Sequence, residues 1–469
     1  MSVIENPHLK DESRGYGEKV VAVEPGGIEF VPLPERHGSP IQLLWTWASP
    51  NLEFATVFVG VLGVAVFGLS FGMAALAIII GTAGGALTQG ILSTWGPRHG
   101  LPQMVIGRSA FGFFGNLLPA GLMSITAGIG WFAVNSVSGA LALNTLTHMS
   151  KGLSLVIIVA VQIAVAFFGH NLVQMFERFA FPFLAIVFVI ASGYIFSKAH
   201  LGAHAGGGIP TSGAFLLEVG AAFGYAAGWN PYASDYTRYL KPDVNGRAVA
   251  LYAGLGIFLS CAVLEIVGAA SVTAIVKSTG SPTGDFTSIM PTWIRDLTLL
   301  AIALGAISAN VLNIYSGAMS FLAMGVKLPL ALRRALVALV FGTIGLFVAW
   351  SGLKDSGAKY ENFLLVIAYW IAPWLAVVFT DRWLRRGTVI DRLVDDRRYQ
   401  NWAGPIAMLF GMAVSIWLFS NQTKYLAPIP KAHPGLGDVT FEVGFVLSGL
   451  AYYVLFRLLK PRVDVVKAQ

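Results

Sequence analysis

The stretch Gly224-Tyr-Ala-Ala-Gly-Trp-Asn-Pro-Tyr-Ala-Ser-Asp-Tyr-Thr-Arg-Tyr239 lies inside a long apolar segment near the middle of the chain. Pro231 lacks an N–H group and its ring clashes with the carbonyl four residues earlier, so it breaks a helix. At membrane depth, backbone groups freed in this way are tolerated only where they line a cavity enclosed by protein. The stretch therefore predicts a broken transmembrane helix with a substrate held against the break.

The composition of the whole chain places this stretch in a membrane protein. Of 469 residues, 55% are hydrophobic and 12% are charged, and the mean hydropathy is +0.69. A soluble domain of this size cannot bury so much apolar surface. The net charge of +7 does not indicate a nucleic-acid partner, because the Lys and Arg residues lie between apolar segments. The single cysteine, Cys261, excludes an intrachain disulfide and a cysteine-based metal site.

Apolar runs long enough to cross about 30 Å of hydrocarbon predict twelve spans. They fall at 41–67, 71–95, 116–146, 152–169, 173–197, 213–240, 248–277, 295–325, 331–350, 358–384, 402–420 and 438–459. An even number of spans puts both termini on one side of the membrane. If that side is cytoplasmic, the inner segments hold 23 of the 31 Lys and Arg residues, which satisfies the positive-inside rule.

A weak internal repeat divides these spans into halves. Trp47-Ala-Ser-Pro-Asn51 in span 1 corresponds to Gly228-Trp-Asn-Pro231 in span 6. Two proline-interrupted spans at matching positions in two halves are the sequence sign of an inverted-repeat transporter. We therefore predict an all-α membrane protein of about 12 transmembrane helices, with a 5+5 inverted repeat and broken helices 1 and 6. Its parts are a cytoplasmic N-terminal tail (1–40), a first five-helix repeat (41–197), a second (213–384), two additional helices (402–459) and a cytoplasmic C-terminal tail (460–469).

Polar and aromatic side chains at membrane depth mark the candidate site. Trp131 and Asn135 are four residues apart, so on a helix they lie on one face. An indole plane with an amide one turn away suits a flat heterocycle. The ring of the heterocycle can stack on the indole while the amide forms hydrogen bonds with the polar groups on its edge. In span 8, Asn310 and Asn313 also share a face; we favour Asn313 as a ligand contact, and Asn310 is either that or an interhelical tie. The alternative for the span-3 pair is ordinary packing and a bond to a neighbouring helix.

Span 6 supplies two further aromatic candidates and a candidate gate. Tyr225 and Trp229 are spaced i, i+4, and one of them is expected to form a second aromatic wall while the other only packs. Asp235 and Arg238 lie near the cytoplasmic end of the span. Their spacing is most simply that of an ion pair at a helix end, and they are also candidates for an inner gate.

Two carboxyl groups lie at membrane depth, where a charge is costly enough that a functional role is the default hypothesis. Glu53 follows the span-1 break, and Glu265 lies near the middle of span 7. Low dielectric favours the neutral acid, so each is a candidate proton carrier. We favour ion coupling for Glu53 and a structural hydrogen bond for Glu265.

Three runs in the sequence resemble the nucleobase-cation-symport-1 family, and more closely its purine-cytosine permease branch. They are Asp235-Tyr-Thr-Arg-Tyr239 after the break, Gly130-Trp-Phe132 in span 3 and Asn310-Val-Leu-Asn-Ile-Tyr-Ser316 in span 8. The likeness extends from about Pro34 to span 12. It implies a fold like that of the leucine transporter, with a nucleobase or related amide heterocycle bound midway between spans 1, 3, 6 and 8.

The resemblance also implies roles for single residues in substrate binding. Trp131 matches the family's stacking tryptophan, and Asn135 matches the amide one turn on. Tyr225 matches the span-6 aromatic residue of the hydantoin-type members, whereas Trp229 matches the span-6 tryptophan of the purine-cytosine branch. Asn313 matches the branch's span-8 asparagine.

For the coupling ion, the resemblance leaves H⁺ and Na⁺ both open. Ser49 matches the polar residue at the span-1 break, which we include among the substrate contacts. Sodium-using members carry a Ser-Thr pair before the span-8 asparagines, where this chain has Ser308-Ala309. One hydroxyl group of a sodium site is thus missing, while Glu53 adds a carboxyl nearby in sequence, so Glu53 and Ser308 are the coupling candidates.

These observations predict a secondary-active importer of a nucleobase (purine or cytosine) or related amide heterocycle, monomeric in the cell membrane and without a cofactor. The chain carries no ATP-binding P-loop pattern, no His-Glu-x-x-His and no credible catalytic triad, so we expect neither a primary pump nor an enzyme. The alternatives are a transporter of another small amine, amino acid or vitamin, and a membrane sensor that binds its substrate without transporting it.

Overall fold

The computed structural model describes residues 27–167, 170–202, 208–275, 281–326, 330–354 and 356–462. Most of the predicted N-terminal tail and the end of the C-terminal tail lie outside these residues. The helices, numbered in chain order, are α1 (Gln42–Ala48), α2 (Phe54–Val61), α3 (Phe71–Ser93), α4 (Trp95–His99), α5 (Gln103–Ile106), α6 (Arg108–Gly115), α7 (Leu117–Ile125), α8 (Phe132–Thr147), α9 (Lys151–Phe167), α10 (His170–Lys198), α11 (Thr211–Ala227), α12 (Ala233–Thr237), α13 (Gly246–Val272), α14 (Pro282–Thr287), α15 (Thr292–Ala323), α16 (Leu330–Gly352), α17 (Ser356–Leu384), α18 (Asp391–Val394), α19 (Ala403–Phe419), α20 (Pro428–Ala432) and α21 (Thr440–Leu459).

Shorter irregular pieces join these helices. The 3₁₀ turns are Leu33–Glu35, Ser49–Asn51, Asn230–Tyr232 and Pro434–Leu436, and the π-helical segments are Leu62–Val66 and Thr126–Trp131. Strands β1 (Asn421–Gln422) and β2 (Tyr425–Leu426) pair antiparallel in a short hairpin. That hairpin departs from the all-helical prediction.

In the part of the chain that the structure describes, seven helices are long and apolar enough to cross a membrane, or eight if one bent pair counts as a single span. The seven are Phe71–His99, Leu117–Thr147, Arg178–Lys198, Gly246–Val272, Thr292–Ala323, Lys359–Leu384 and Thr440–Leu459, and the bent pair is Gln42–Asn51 with Phe54–Val66. Three shorter apolar helices are Lys151–Val165, Leu339–Gly352 and Ala403–Phe419. The chain is therefore a multi-pass membrane protein.

The first interruption lies between α1 and α2. Helix α1 ends at Ala48, and a 3₁₀ turn containing Pro50 follows. Glu53 is extended, with φ −151° and ψ 176°, and α2 begins at the next residue. The two pieces are bent by 63° with respect to each other, and the residues of the turn between them, Ser49–Asn51, are buried.

The second interruption lies between α11 and α12 and follows from Pro231. Helix α11 ends at Ala227, four residues before the proline, which is the carbonyl position with which the ring clashes. The side-chain amide of Asn230 donates to the Ala227 carbonyl over 2.9 Å. This bond satisfies one of the carbonyl groups that a helix end leaves open.

Small residues set the distances between the helices around these breaks. A Cβ atom at Gly81 on α3 would clash with the Val219 carbonyl of α11, and one at Gly85 would lie 2.6 Å from the Ala227 nitrogen. These two glycines, four residues apart on α3, let α3 and α11 approach closely.

Helices α2 and α13 approach each other even more closely, at a contact around Gly60 and Gly268 that we call the seam. A Cβ atom at Gly60 would overlap the carbonyl of Glu265, and one at Gly268 would overlap the carbonyl of Val57. The two backbones are therefore in direct contact at two places. Helix α15 packs against α8 and α10 on the other side of the break, and α19 and α21 pack against each other and α17.

Candidate functional site

The two helix interruptions meet in the interior of the bundle. The indole Nε1 of Trp229 donates to Asn51 Oδ1 over 2.8 Å, and the Asn51 amide donates to the carbonyl of Trp47 over 2.7 Å. The rings of Trp47 and Trp229 pack edge to face, with centroids 6.0 Å apart. The break in span 1 is thus bonded directly to the break in span 6.

Trp131 lies beside this junction, surrounded by aromatic edges. Its ring centroid is 5.4 Å from that of Tyr225, 5.1 Å from Phe363 and 6.4 Å from Tyr360, all in edge-on arrangements. A Cβ atom at Gly228 would be 3.2 Å from the indole. Because glycine occupies that position, the indole of Trp131 lies against the broken backbone of span 6.

The predicted amides form one connected network between α8 and α15. Asn135 and Asn313 both donate to Asn310 Oδ1, over 3.1 and 3.2 Å. Asn310 in turn donates to the Phe132 carbonyl over 2.8 Å and to Ser136 Oγ over 3.1 Å. Asn310 is therefore an interhelical tie, one of the two roles left open above.

Two further contacts complete the network. Tyr232 donates its hydroxyl to Asn313 Oδ1 over 2.6 Å. Among the described residues, Asn135 Oδ1 has no hydrogen-bond partner, although the side chain is only 1% exposed. A buried carbonyl oxygen without a donor is costly, so this atom is suited to accept a hydrogen bond from a ligand.

The structure separates the two span-6 aromatic candidates. Tyr225 is on α11 and packs against Trp131, whereas Trp229 lies beyond the helix end and contacts Trp47, Tyr232 and Asn51. The i, i+4 rule requires a continuous helix, and this one stops at Ala227. Tyr225 is therefore the one that faces Trp131.

The coupling candidates lie at the span-1 break. The Glu53 side chain is 1% exposed, its Oε1 is 3.5 Å from the Tyr225 hydroxyl, and its Oε2 has no partner among the described residues. Thr56 is 2.5 Å from the same hydroxyl. Ser49 Oγ and Ser308 Oγ are 3.3 Å apart, so the span-1 break also contacts α15. Within the described ranges, no group of three or more His, Cys, Asp or Glu residues could hold a metal ion.

The gate candidates lie at the N-terminal face, by which we mean the end of the bundle where residues 27–40 pack. Asp235 Oδ1 accepts from the Gln103 N–H over 2.9 Å. Arg238, 1% exposed, donates to the carbonyl of Gly27 over 2.8 Å and to the hydroxyl of Tyr239 over 2.9 Å. Tyr239 and Tyr315 are 2.9 Å apart through their hydroxyls. The N-terminal segment, span 6 and α15 thus close this face together.

Toward the opposite face, the bundle contains an apolar cavity of about 170 Å³. Phe54 and Phe58 of α2, Tyr360 and Phe363 of α17 and residues of α8 and α16 line it. Tyr360 and Phe363 also contact Trp131, so these rings lie between the cavity and the aromatic site.

Sequence reasoning did not assign Asn51, Thr56 or Tyr232 to the site. All three are polar side chains in a proline-containing break or within one turn of it. Their position next to a predicted break is the signal that could have identified them.

A membrane-embedded helical bundle whose two interrupted helices enclose aromatic and amide groups defines a transporter. The chain belongs to the family described as permease for cytosine/purines, uracil, thiamine, allantoin, whose model matches residues 30–444. It is a transporter and not an enzyme.

Individual relatives cover almost the whole chain. The purine-cytosine permease fcyB of Emericella nidulans is 30% identical, and the match covers 92% of this chain and 88% of that protein. The putative purine-cytosine permease YxlA of Bacillus subtilis is 28% identical, covering 94% of this chain and 96% of that one. The solved structure of Mhp1, a nucleobase-cation-symport-1 family transporter in a closed conformation with bromovinylhydantoin bound, aligns with TM-score 0.69 at 20% identity, covering 93% and 96% of the two chains. That similarity establishes the leucine-transporter-like fold.

Proposed function

We propose that this protein is a secondary-active, cation-coupled importer of a nucleobase (purine or cytosine) or a related amide heterocycle. The observation that carries the proposal is the unpartnered, buried Oδ1 of Asn135 next to the indole of Trp131. An aromatic face combined with an acceptor that lacks a donor fits a flat ring bearing an N–H group. The names of the relatives point to the same class of substrate.

Alternating access is supported by the difference between the two ends of the site. On the N-terminal face, Arg238, Tyr239 and Tyr315 are joined by hydrogen bonds to one another and to the N-terminal segment. On the opposite side, the cavity reaches the rings that contact Trp131. We propose that this arrangement is a state closed toward the cytoplasm, and that opening the N-terminal face while the cavity closes releases the substrate inside.

The architecture that goes with this function has twelve spans in a 5+5 inverted repeat with broken helices 1 and 6. The proposal counts as spans the seven long apolar helices, the bent pair, the three shorter apolar helices and the α11–α12 pair. We place both termini in the cytoplasm of a cell-membrane protein, because 23 of the 31 Lys and Arg residues fall in the segments on that side of the membrane. We further propose that the protein acts as a monomer.

The proposed substrate contacts are Ser49, Trp131, Asn135, Tyr225, Trp229 and Asn313. Two of them already make hydrogen bonds within the protein: Trp229 donates to Asn51, and Asn313 accepts from Tyr232. A bound heterocycle would compete with those bonds or add to them.

Competition for uptake tests the proposal. Purified protein is reconstituted in sealed vesicles, and uptake of radiolabelled cytosine is measured with unlabelled uracil, purines, hydantoin, allantoin or thiamine present. We expect saturable uptake and competition by at least one amide heterocycle. Binding without uptake would instead indicate a sensor, and lack of competition by every compound would contradict the proposed substrate class.

A further inference from the structure

Two buried glutamates lie between the candidate site and the face opposite the N-terminal one. Glu218 is on α11, before the break in span 6, and Glu265 is in the C-terminal half of α13. Both side chains are 0% exposed. Neither belongs to the substrate site or to the gate.

The two carboxyl groups have almost no hydrogen-bond donors. Glu265 Oε2 accepts from Thr82 Oγ1 over 2.8 Å, and Glu265 Oε1 has no partner among the described residues. In the same part of the chain, neither oxygen of Glu218 has a partner. The Glu218 carboxyl lies against Gly63, since a Cβ atom at that glycine would be 2.8 Å from its carboxyl carbon and 3.0 Å from both oxygens.

The elements packed around the pair supply no positive charge. Helices α2 and α3 and the π-helical segment Leu62–Val66 contain no titratable side chain. The titratable groups that interact with Glu265 are Cys261 on α13 and Tyr360 on α17, and Glu218 interacts with Glu265 itself. Across the described ranges, no ion pair joins either glutamate to a Lys, Arg or His residue.

Two ionised carboxylates cannot remain side by side under these conditions. Burying a charge without a counter-ion or hydrogen-bond donors is strongly unfavourable, and a second like charge nearby adds to the cost. A proton removes the charge and supplies the missing donor, because a protonated carboxyl group donates one hydrogen bond. Helix α3 brings the two glutamates together, because Gly81 lies against the carbonyl of Val219, the residue after Glu218, and the next residue, Thr82, donates to Glu265. Two carboxyl groups that share a buried site in this way satisfy the usual condition for sharing protons.

We propose that Glu218 and Glu265 form a second proton-binding site, which exchanges protons with Glu53. Gly60 of α2, the helix that begins directly after Glu53, lies against the carbonyl of Glu265, and Tyr225 on the helix of Glu218 lies 3.5 Å from Glu53 Oε1. The two sites are therefore connected through α2 and α11. In the exchange, a proton leaves the Glu265 carboxyl and is accepted by the Glu53 carboxylate, and one negative charge moves from Glu53 to Glu265. The exchange rests on the proposed cation-coupled function, whereas proton binding by the pair does not.

Infrared spectroscopy of the full-length protein in lipid tests proton binding without any substrate. The wild type should show the carbonyl stretch of a buried carboxylic acid at neutral pH, and this band should decrease in Glu218→Gln and in Glu265→Gln. Asp243→Asn is the matched control, since it removes one exposed carboxylate from the loop after span 6. A band of unchanged intensity in both glutamine variants would overturn the proposal.

A third variant serves if the glutamine variants do not fold. Thr82→Ala keeps both carboxyl groups but removes the hydroxyl that donates to Glu265, so it should shift the frequency of the same band. A band at the wild-type frequency in Thr82→Ala would also contradict proton binding by Glu218 and Glu265.

Transport measurements then test the exchange with Glu53. Glu265→Gln should bind radiolabelled substrate with wild-type affinity yet show reduced proton-driven accumulation in sealed vesicles. Normal accumulation in Glu265→Gln would overturn the exchange. Absence of substrate binding in the wild type would instead contradict the proposed function, while the infrared result would stand.

Discussion

Trp131 is the residue on which the proposed site depends most. Three aromatic rings pack against it in T-shaped arrangements, and the backbone of Gly228 lies beside it. Each such aromatic pair contributes about 0.5–1.5 kcal/mol beyond the burial of its area. The orientation of the indole is therefore fixed before any ligand binds, which lowers the cost of ordering the site.

We expect Trp131→Ala to lose high-affinity binding and Trp131→Phe to retain part of it. A loss of about 1.4 kcal/mol corresponds to a tenfold weaker affinity, and the alanine variant should lose at least that much. The measurement is substrate affinity of purified protein, with the amount in the membrane checked separately. Trp417→Ala is the control, since that tryptophan is 62% exposed on α19; an alanine variant at 131 with wild-type affinity would rule out stacking.

The three asparagines should respond differently to removal. Asn310 makes four hydrogen bonds within the protein, so Asn310→Ala should lower the thermal stability by leaving buried polar groups unpaired, at about 1–3 kcal/mol each. Asn135→Ala and Asn313→Ala should mainly alter the preference among substrates with different edge donors and acceptors. Thermal unfolding and a competition panel separate the two effects, and equal losses for all substrates would assign Asn135 and Asn313 to packing.

At this scale, sequence reasoning found the residue types but not their partners. The i, i+4 spacing of Trp131 and Asn135 predicts a shared face because it is local. The bond from Tyr232 to Asn313 joins residues 81 positions apart, and no local rule relates them. For Tyr225 and Trp229 the spacing alone does not tell which of the two faces Trp131, because the helix ends at Ala227, between them.

The N-terminal segment is an element whose role the sequence alone did not indicate. It was predicted as a tail, yet the carbonyls of Gly27 and Glu29 accept hydrogen bonds from Arg238, and the N–H of His37 donates to the Tyr239 carbonyl over 2.7 Å. The reason is physical: backbone carbonyls carry no sequence signature. The seven long apolar helices, in contrast, begin and end within a few residues of the predicted spans, because length and hydropathy are properties of the segment itself.

Weakening this contact should open the N-terminal face. In a Cys261→Ser background, a cysteine introduced by Ser316→Cys, next to Tyr315 on α15, should react slowly with a water-soluble maleimide. Adding Arg238→Gln should accelerate the reaction, because the guanidinium that joins span 6 to the N-terminal segment is lost. Arg98→Gln, an exposed arginine on the same face, is the control; equal rates in both variants would argue against a gate.

For the molecule as a whole, the decisive question is which ion drives uptake. Glu53 provides a carboxyl at the break, and Ala309 removes one hydroxyl from the family's sodium arrangement. We therefore expect uptake to increase with an inward proton gradient and to collapse with a protonophore, in the absence of sodium. Vesicle uptake under imposed gradients measures this. Sodium-dependent binding at fixed pH that survives removal of the gradient would reverse the conclusion.

Glu53→Gln should separate binding from accumulation. The amide resembles the protonated acid in shape but cannot release a proton, so substrate binding should be retained while concentrative uptake is lost. Exchange of external for internal substrate, which needs no net proton movement, should persist in this variant. Loss of exchange together with accumulation would show that Glu53 is needed for the conformational change itself.

The contact of α2 with α13 through Gly60 and Gly268 has a mechanical consequence. Two helices whose backbones touch at both glycines cannot slide past each other without a steric collision. The second half of span 1 and span 7 must then move as one rigid unit. The bending has to occur elsewhere, most simply at the joint between α1 and α2, where the two helices are bent by 63°. A spin-label pair placed across the seam should thus report one unchanging separation throughout the transport cycle, while a pair placed across the joint should report two.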